Sequence, residues 1–257
     1  MTHSNDNFKE VLYTQFQNAT KEPNFSFLHF MYSLLNKNFS KLSEDARILE
    51  LGSGPGISSL FLKSRKILHT DLLSWEDSSV EIRSQIDAHS LPFHENEFAA
   101  VFAVDTLHHL SNPITAIREM TRVVAAGGII VFIEPYISFF SYPIYKGFHH
   151  EETSWTFHEN EFQEVVSELA GDGDQGIPKF VFSNKKVLSE LMENSNITEI
   201  QIKLFAPFSF FATGGLSNPM HTPRQLIKFL LMIEAKIPSF VMKIIASRMV
   251  ITLSISK

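Results

Sequence analysis

The residues with the clearest chemical potential lie in a short glycine-rich segment near residue 50. The segment holds an acid, a serine and three glycines, which are Glu50, Gly52, Ser53, Gly54 and Gly56. Glycines let the backbone turn sharply and let a ligand approach the main chain closely. A carboxylate at Glu50 would repel a pyrophosphate but could pair with an ammonium group of a ligand. This combination predicts a small-molecule site at the turn that follows an apolar strand.

Three aspartates follow other apolar segments farther along the chain. Asp71 comes directly after Ile67–Thr70, which is about where an acid accepts hydrogen bonds from ribose hydroxyls in nucleotide-binding α/β proteins. Asp105 follows Phe98–Val104, and Asp87 ends an alternating segment. These last two could contact a ligand, or they could cap a strand or form a turn, as aspartate commonly does.

The glycine spacing discriminates between classes of cofactor. A dinucleotide-binding fingerprint has Gly or Ala where this chain has Ile57, because the helix must pack closely on the strand there. The acid at Glu50 is also unfavourable beside a pyrophosphate. An NAD-dependent oxidoreductase is therefore the less favoured alternative.

Histidines occur in two clusters. His108 or His109 could act as a general base, because the unperturbed pKa of histidine is near neutrality; a structural hydrogen bond is the alternative. The second cluster joins the His-His-Glu-Glu segment at 149–152 to His158 and Glu161. Its spacing differs from the His-Glu-x-x-His pattern of helical zinc sites, so we predict no metal site.

The elements that must position these residues alternate between strand and helix. Apolar runs and period-two alternation predict strands at Arg47–Leu51, Ile67–Thr70, Val80–Asp87, Phe98–Val104, Ile129–Ile133, Ile197–Phe205 and Met249–Ser256. Helices are predicted at Phe8–Asn18, Phe25–Phe39, directly after Gly56, between Asn112 and Gly128, at Glu159–Ala170, Asn184–Glu193 and Pro223–Ala235, and up to Ala246. This alternation predicts an open, mostly parallel sheet with a late antiparallel pair. Residues 72–79 are too few for a usual parallel crossover, so either the helix there is reduced to a turn or the third strand starts later.

Residues 46–134 resemble a known family. The segment Ile48–Gly56 resembles motif I of the class I S-adenosylmethionine-dependent methyltransferases. The segments Asp87–Phe93, Phe98–Leu110 and Ile117–Gly128 resemble later motifs of its type 11 branch. The resemblance implies a Rossmann-like α/β fold with a seven-stranded, mostly parallel sheet of order 3-2-1-4-5-7-6, in agreement with five strand segments in the right sequence. It also implies an insertion between strands 5 and 6.

The same resemblance implies roles toward the cofactor, S-adenosylmethionine. It assigns nine residues to it: Glu50, Gly52, Ser53, Gly54, Gly56, Asp71, Asp87, Ala88 and Asp105. The glycine turn would wrap the methionine portion, and Glu50 would orient its amino group. Asp71 would hold the ribose, while Asp87 and Ala88 would meet the adenine edge. Asp105 would lie near the methionine end.

The implied reaction is a direct displacement, in which an acceptor nucleophile attacks the sulfonium methyl group and S-adenosylhomocysteine leaves. Because the methyl group is already activated, positioning supplies most of the catalysis. A base is needed only if the acceptor must lose a proton. The candidate catalytic residues are His108, His109 and Tyr136. A cofactor-binding protein without transferase activity is the alternative.

Aromatic residues after the fifth strand indicate the kind of acceptor. They are Phe139, Phe140, Tyr142, Tyr145, Phe148 and the stretch Phe205–Phe211. Ligand pockets commonly have aromatic walls with a few polar groups, which Tyr136, His149 and His150 could supply. This hypothesis predicts a small-molecule or lipid-like substrate. The alternative is that the rings only bury the insertion against the core.

Composition and charge narrow the possible partners. The 257 residues fit one methyltransferase domain, divided into N-terminal helices (1–45), a cofactor-binding core (46–136), an insertion or substrate cap (137–196) and the C-terminal part of the sheet (197–257). The net charge of −6 disfavours a nucleic-acid partner. Charges and a proline interrupt Leu226–Ala246, so we predict no transmembrane segment. With no signal peptide indicated, we expect a cytoplasmic protein; the oligomeric state stays open.

Overall fold

The computed structural model describes residues 2–75, 78, 80–148, 151–157, 173–193 and 195–256. Seven strands form one sheet: β1 (Arg47–Leu51), β2 (Lys66–Thr70), β3 (Ile82–Arg83), β4 (Phe98–Val104), β5 (Val124–Pro135), β6 (Ile197–Phe205) and β7 (Arg248–Ile255). Their order is β3-β2-β1-β4-β5-β7-β6, which confirms the predicted order. Neighbours among β1–β5 are parallel, and β7 pairs antiparallel with both β5 and β6.

The described residues also form nine α-helices. They are α1 (Thr2–Ala19), α2 (Asn24–Asn38), α3 (Pro113–Val123), α4 (Ser141–Phe148), α5 (Ile177–Ser183), α6 (Lys185–Glu193), α7 (Ser209–Thr213), α8 (Arg224–Glu234) and α9 (Ser239–Ile245). Most match predicted helices, and the predicted helix at Glu159–Ala170 lies outside the described residues. None of the helices in this part of the chain combines the length and apolar character needed to cross a bilayer.

Helices cover both faces of the sheet, because successive strand residues point to opposite faces. On one face, Ile48 and Phe102 pack in a cluster with side chains of α2 and α8. On the other face, Leu49 and Val101 pack with side chains of α3, α5 and α6. The central strands are therefore buried on both sides, as their continuous apolar runs predict.

Two predicted elements near the glycine turn are shorter than expected. The helix after Gly56 is a single 3-10 turn at Ile57–Leu60, because the chain turns again before it enters β2. The predicted strand Val80–Asp87 is paired only at Ile82–Arg83. Beyond that pair the chain folds around Asp71, whose carbonyl accepts a hydrogen bond of 3.0 Å from the Ile86 amide. No helix occurs in the described residues between β2 and β3, so the crossover is reduced.

The prediction that Gly127 and Gly128 end a helix is wrong. Helix α3 ends at Val123, and β5 begins with the next residue. Gly127 has a φ of +77°, and the pairing register of β4 and β5 shifts nearby. A Cβ at Gly128 would lie 2.6 Å from the Ala99 carbonyl oxygen. The two glycines therefore allow an irregular strand start and a close approach to β4.

Candidate functional site

The candidate site lies at the edge where the parallel strands end. Leu51 of β1 pairs with Thr70 of β2 and with Ala103 of β4, and β5 continues this arrangement beside β4. Residues that follow these strands therefore meet at one edge. They include Gly52, Asp71 and Asp105. Glu134, the second-last residue of β5, lies at the same edge.

The glycine turn, Gly52–Gly56, has a backbone that favours glycine at three positions. The φ angles of Gly52, Gly54 and Gly56 are +66°, +52° and +89°. A Cβ at Gly52 would lie 2.5 Å from the side chain of Thr106, whereas a Cβ at Gly54 would meet nothing within 4 Å. Gly54 thus exposes its main chain to open space, which is the environment a closely approaching ligand requires.

Asp71 holds this turn from the end of β2. Its Oδ2 accepts a hydrogen bond of 2.8 Å from the Gly54 amide, and its Oδ1 accepts one of 2.8 Å from the Leu73 amide. Burial raises the pKa of Asp71, and these two bonds act in the opposite direction. Each carboxylate oxygen can accept a second hydrogen bond, so the acceptor atoms beside Gly54 suit hydroxyl groups such as those of a ribose.

Glu50 is buried beneath the turn. Its Oε2 accepts a hydrogen bond of 2.6 Å from the Ser58 hydroxyl and lies 2.5 Å from His69 Nδ1. Ser53, which is also buried, donates its amide to the Thr70 carbonyl at 3.0 Å. These contacts attach the turn to β2, and the predicted contact of Glu50 with a ligand amino group stays a prediction.

Asp87 forms a local turn. Its Oδ1 accepts a hydrogen bond of 2.9 Å from the His89 amide and lies 2.7 Å from His89 Nδ1. The hydrogen bond from the His89 amide is the main cause that lowers the pKa of Asp87. Ala88 is buried in the core beside it. Asp87 has the turn role that the sequence left open, and its contact with adenine stays a prediction.

Glu134 organises the loop after β4, although sequence reasoning did not assign it to the site. It is fully buried. Its Oε1 accepts hydrogen bonds from the amides of Thr106 and Leu107 at 2.9 and 2.8 Å, and its Oε2 lies 2.7 Å from His108 Nδ1. An acid at the end of a buried strand was the available signal, since such an acid must find partners.

His108 lies between two carboxylates. Its Nε2 is 3.3 Å from Glu151 Oε2, on the side opposite Glu134. Burial alone would lower the pKa of His108, but the two carboxylates raise it to about 10. The imidazole is therefore protonated at neutral pH and donates from both nitrogens. This state suits a hydrogen-bond donor better than the general base that the sequence suggested.

His109 completes a cluster that has the donor set of a metal site. Its Nε2 lies 3.7 Å from Glu151 Oε1, and ligand atoms of His108, His109 and Glu151 lie within 4.8 Å of one another. His108 is hydrogen-bonded to Glu134 and its pKa is raised. Both features favour a proton, rather than a metal ion, on the His108 imidazole. The absence of a metal stays a prediction. Four residues of the second histidine cluster, His149, His150, His158 and Glu161, lie outside the described residues.

Asp105 pairs with an arginine that no sequence motif identified. Arg248 Nη2 lies 2.6 Å from Asp105 Oδ1, and the arginine is buried while the aspartate is partly exposed. The guanidinium also lies 5.2 Å from the centre of the Phe210 ring. Arg248 begins β7, which runs antiparallel, so its first residue lies at the edge where the parallel strands end. Asp105 itself has a φ of +50°.

Tyr136 contacts α9 and Lys179. Its hydroxyl donates a hydrogen bond of 3.4 Å to the Lys243 carbonyl in α9, and its ring is 5.8 Å from Lys179 Nζ. Burial raises the pKa of Tyr136, so the phenol stays neutral at neutral pH. Its predicted catalytic role stays a prediction.

The aromatic residues after β5 pack mainly on one another. Rings of Phe140, Tyr145, Phe208, Phe210 and Phe211 are in mutual contact, whereas Phe139 and Phe148 are exposed. Tyr142 instead contacts Trp155 at 5.3 Å, which lines a cavity of about 230 Å³. Its walls are Trp155, Thr156, Phe157, Lys179, Phe180, Ser183 and Asn184. The mutual packing matches the alternative that these rings bury one another, and the cavity is lined by aromatics that the sequence reasoning did not select.

Comparison with known families gives a match in the first part of the sheet. Residues 49–132 match a family described as "Methyltransferase domain". The match begins in β1, includes the glycine turn and the loop after β4, and ends in β5. It covers about one third of the chain and contains most of the residues described above.

Solved structures share the fold over most of the chain. A SAM-dependent methyltransferase from Archaeoglobus fulgidus aligns with a TM-score of 0.54 and 11% identity, over 89% of this chain and 93% of the other. Geranyl diphosphate C-methyltransferase from Streptomyces coelicolor A3(2), solved with Mg²⁺, geranyl-S-thiolodiphosphate and S-adenosyl-L-homocysteine, aligns with a TM-score of 0.50 and 11% identity, over 87% and 74%. At such identities the likeness establishes the fold.

Proposed function

We propose that this chain, a class I S-adenosylmethionine-dependent methyltransferase by its matched domain and its fold, methylates a small-molecule or lipid-like acceptor beside the loop after β4. One observation supports this most strongly. The main chain of Gly54 faces open space beside the buried carboxylate of Asp71. This arrangement fits a ligand with ribose hydroxyls that must come close to the backbone.

In this proposal the residues at the ends of β1 and β2 hold the cofactor. The glycine turn accommodates its methionine portion, and Asp71 accepts hydrogen bonds from the ribose. Asp87 and Ala88 lie at the adenine edge. Glu50 acts through Ser58 and His69, because its carboxylate fixes the residues that follow the turn. When bound, S-adenosylmethionine supplies a methyl group that is already activated on its sulfonium.

The loop after β4 orients the acceptor. His108 lies between Glu134 and Glu151 with one ring nitrogen toward each carboxylate, so it positions Glu151 at this loop. Glu151 is the member of the cluster suited to take up a proton that the acceptor loses. Asp105 is fixed by Arg248 at the methionine end of the site. Positioning of the two reactants then supplies most of the rate enhancement.

The apolar part of the acceptor would lie against the aromatic residues after β5. Trp155, Phe157 and Phe180 line the cavity of about 230 Å³ in this half of the chain. The Lys179 ammonium lies 4.2 Å from the centre of the Trp155 ring, so the wall also carries a cation. Such a wall favours an acceptor that combines an apolar body with a polar or anionic group.

Calorimetry and a turnover assay test this function in sequence. We expect S-adenosylmethionine and S-adenosylhomocysteine to bind in titration calorimetry and NADH not to bind. The protein with methyl-labelled S-adenosylmethionine should then label acceptors from a panel of hydroxylated small molecules and lipids. Binding of NADH in place of the sulfonium cofactor would reject the proposal. Cofactor binding without turnover on any acceptor would instead support a binding protein without transferase activity.

A further inference from the structure

Helices α8 and α9 present large apolar side chains to solvent. Six of these side chains are exposed by 40% or more: Leu226, Phe229, Met232, Ile233, Phe240 and Ile244. Single exposed apolar residues are common on soluble proteins, but a group of this size marks an interaction surface. We name these six residues the apolar face.

Helix α8 is apolar on two opposite sides. Ile227 is fully buried and packs in the core cluster, joined by Leu231 one turn later. Leu226, Phe229 and Ile233 follow the spacing i, i+3 and i+7, so they share the outer side of the helix. A helix that covered only its own core would have polar residues on that side. The outer side therefore has a separate use.

The apolar face continues toward the candidate site. The Phe140 amide donates a hydrogen bond of 3.1 Å to the Ile244 carbonyl, which joins the segment after β5 to α9. Phe139, the preceding residue, is 77% exposed. Tyr136 also bonds to α9 through the Lys243 carbonyl. The segment after β5, which carries the exposed ring of Phe139, is therefore attached to the helix that carries Phe240 and Ile244.

The charges around the apolar face are of one sign. Four exposed cations occur in the same segment: Arg224, Lys228, Lys236 and Lys243. Glu234 is the only acid between residues 200 and 257. It is buried, and it accepts hydrogen bonds from the Phe208 and Ser209 amides and the Ser209 hydroxyl. A chain with a net charge of −6 therefore carries an exposed cationic and apolar surface here.

We propose that the apolar face docks on the surface of a bilayer that contains anionic lipids. Phe, Leu, Ile and Met side chains enter the boundary between headgroups and acyl chains, and the surrounding lysines and arginine contact anionic headgroups. A second copy of the chain is a poor occupant, because a symmetric contact would place the same cations opposite one another. The helices lie on the membrane, since α8 has 11 residues and α9 has 7.

Docking in this orientation would bring a membrane-embedded acceptor to the site. This last step rests on the proposed function, whereas the docking itself does not. The distinction matters for the test, because vesicle binding is measured without turnover.

Vesicle flotation tests the docking with the full chain. We expect the protein to bind vesicles of phosphatidylcholine with 30% phosphatidylglycerol at least tenfold more tightly than vesicles of phosphatidylcholine alone, about one unit in log K. High salt should weaken the binding, because screening reduces the attraction of the cations to headgroups. The double variant Phe229→Ser/Phe240→Ser should bind at least tenfold more weakly than the unmodified chain. Lys236→Glu/Lys243→Glu should lose the preference for anionic vesicles.

A matched control and two other measurements keep the result interpretable. Ile202 in β6 is 44% exposed and lies outside the apolar face, so Ile202→Ser should bind vesicles like the unmodified chain. All variants should retain the melting temperature and the affinity for S-adenosylmethionine. The proposal is overturned if the unmodified chain does not bind anionic vesicles, or if the Phe229→Ser/Phe240→Ser variant binds them equally well. It is also overturned if sedimentation shows a dimer that this variant dissociates. Vesicle binding without methyl transfer would leave the docking intact and reject only the proposed function.

Discussion

Two buried glutamate–histidine pairs lie at the same edge of the sheet, and they have different surroundings. Glu50 Oε2, near the end of β1, lies 2.5 Å from His69 Nδ1. Glu134 Oε2, near the end of β5, lies 2.7 Å from His108 Nδ1. The other partner of Glu50 is a hydroxyl, that of Ser58. Glu134 instead accepts two backbone amides, and its histidine has a second carboxylate in Glu151.

This difference separates a pair that joins two strands from a pair that fixes a loop. Without Glu50, the Ser58 hydroxyl and the His69 imidazole each lose one hydrogen-bond partner. Without Glu134, the amides of Thr106 and Leu107 lose an acceptor, and the buried His108 loses its nearer carboxylate. Two pairs of the same residue types thus stabilise different parts of the structure, one a contact between strands and the other a loop. The difference arises because only the second pair includes backbone donors and a second carboxylate.

The largest effect is expected for Glu134→Ala. We expect it to lower the free energy of unfolding by about 3–5 kcal/mol, the usual scale for breaking a buried charged pair. Glu50→Ala should cost about 1–3 kcal/mol, because it removes one hydrogen-bond partner from each of two buried side chains and none from the backbone. Urea unfolding measures both. Glu134→Gln keeps a carbonyl acceptor for the amides and should fall between them, so it is informative even if Glu134→Ala does not fold. If Glu50→Ala lowered the free energy of unfolding as much as Glu134→Ala, the proposed difference between the two pairs would be wrong.

The next effect concerns the turn above Glu50. Gly54→Val should weaken binding of S-adenosylmethionine by at least about 2 kcal/mol, or roughly 30-fold, because its side chain would occupy the open space beside Asp71. Gly215→Val is a matched control, since Gly215 has a φ of +72° and also has nothing within 4 Å of an added Cβ. Both variants place a valine at a positive φ, so calorimetry on the two separates backbone strain from contact with the ligand. Similar loss in both variants would mean that strain, not contact, reduces the affinity.

Asp71→Ala should have a smaller effect on the same ligand. We expect a loss of about 1–3 kcal/mol in binding, the scale for a hydrogen bond to a charged group. Because the carboxylate also holds the Gly54 amide, the free energy of unfolding should fall as well. Asp71→Asn retains an acceptor for this amide and should separate the two contributions. If calorimetry gives unchanged affinity for both variants, Asp71 has no role toward the cofactor.

The most gradual effect is a dependence of stability on pH, which is spread over several pH units. The folded-state pKa of His108 is raised to about 10, above its value near 6.5 in the unfolded chain. The contact of His108 with its carboxylates therefore contributes fully to the free energy of unfolding below pH 6.5. This contribution is lost as the pH rises through 10. The expected slope is at most about 1.4 kcal/mol per pH unit. Urea unfolding of the unmodified chain and of His108→Gln over this range should show the difference. Parallel pH curves would show that His108 is not charged in the folded state.

The resemblance to a known family implied the order of the strands, and the local pattern of residues predicted the strand segments and the glycine turn. Glu134 and Arg248 were not predicted as site residues. Their partners lie 26 and 143 positions away in the chain, and only the folded sheet brings them together. The prediction that a helix ends at Gly128 was wrong for a related reason. The two glycines there serve contact with β4, and such a contact between strands has no signature in a single segment.

Thr106 connects the two regions compared above. Its amide donates to Glu134, and its side chain occupies the space next to Gly52. Residues that share a contact in this manner usually show non-additive energies. A ligand that shifts the glycine turn would therefore change the free energy of the loop that carries His108, and an acceptor bound at that loop would change the affinity of the turn by the same factor, since such coupling is reciprocal. A single threonine thus makes binding of the two reactants thermodynamically linked.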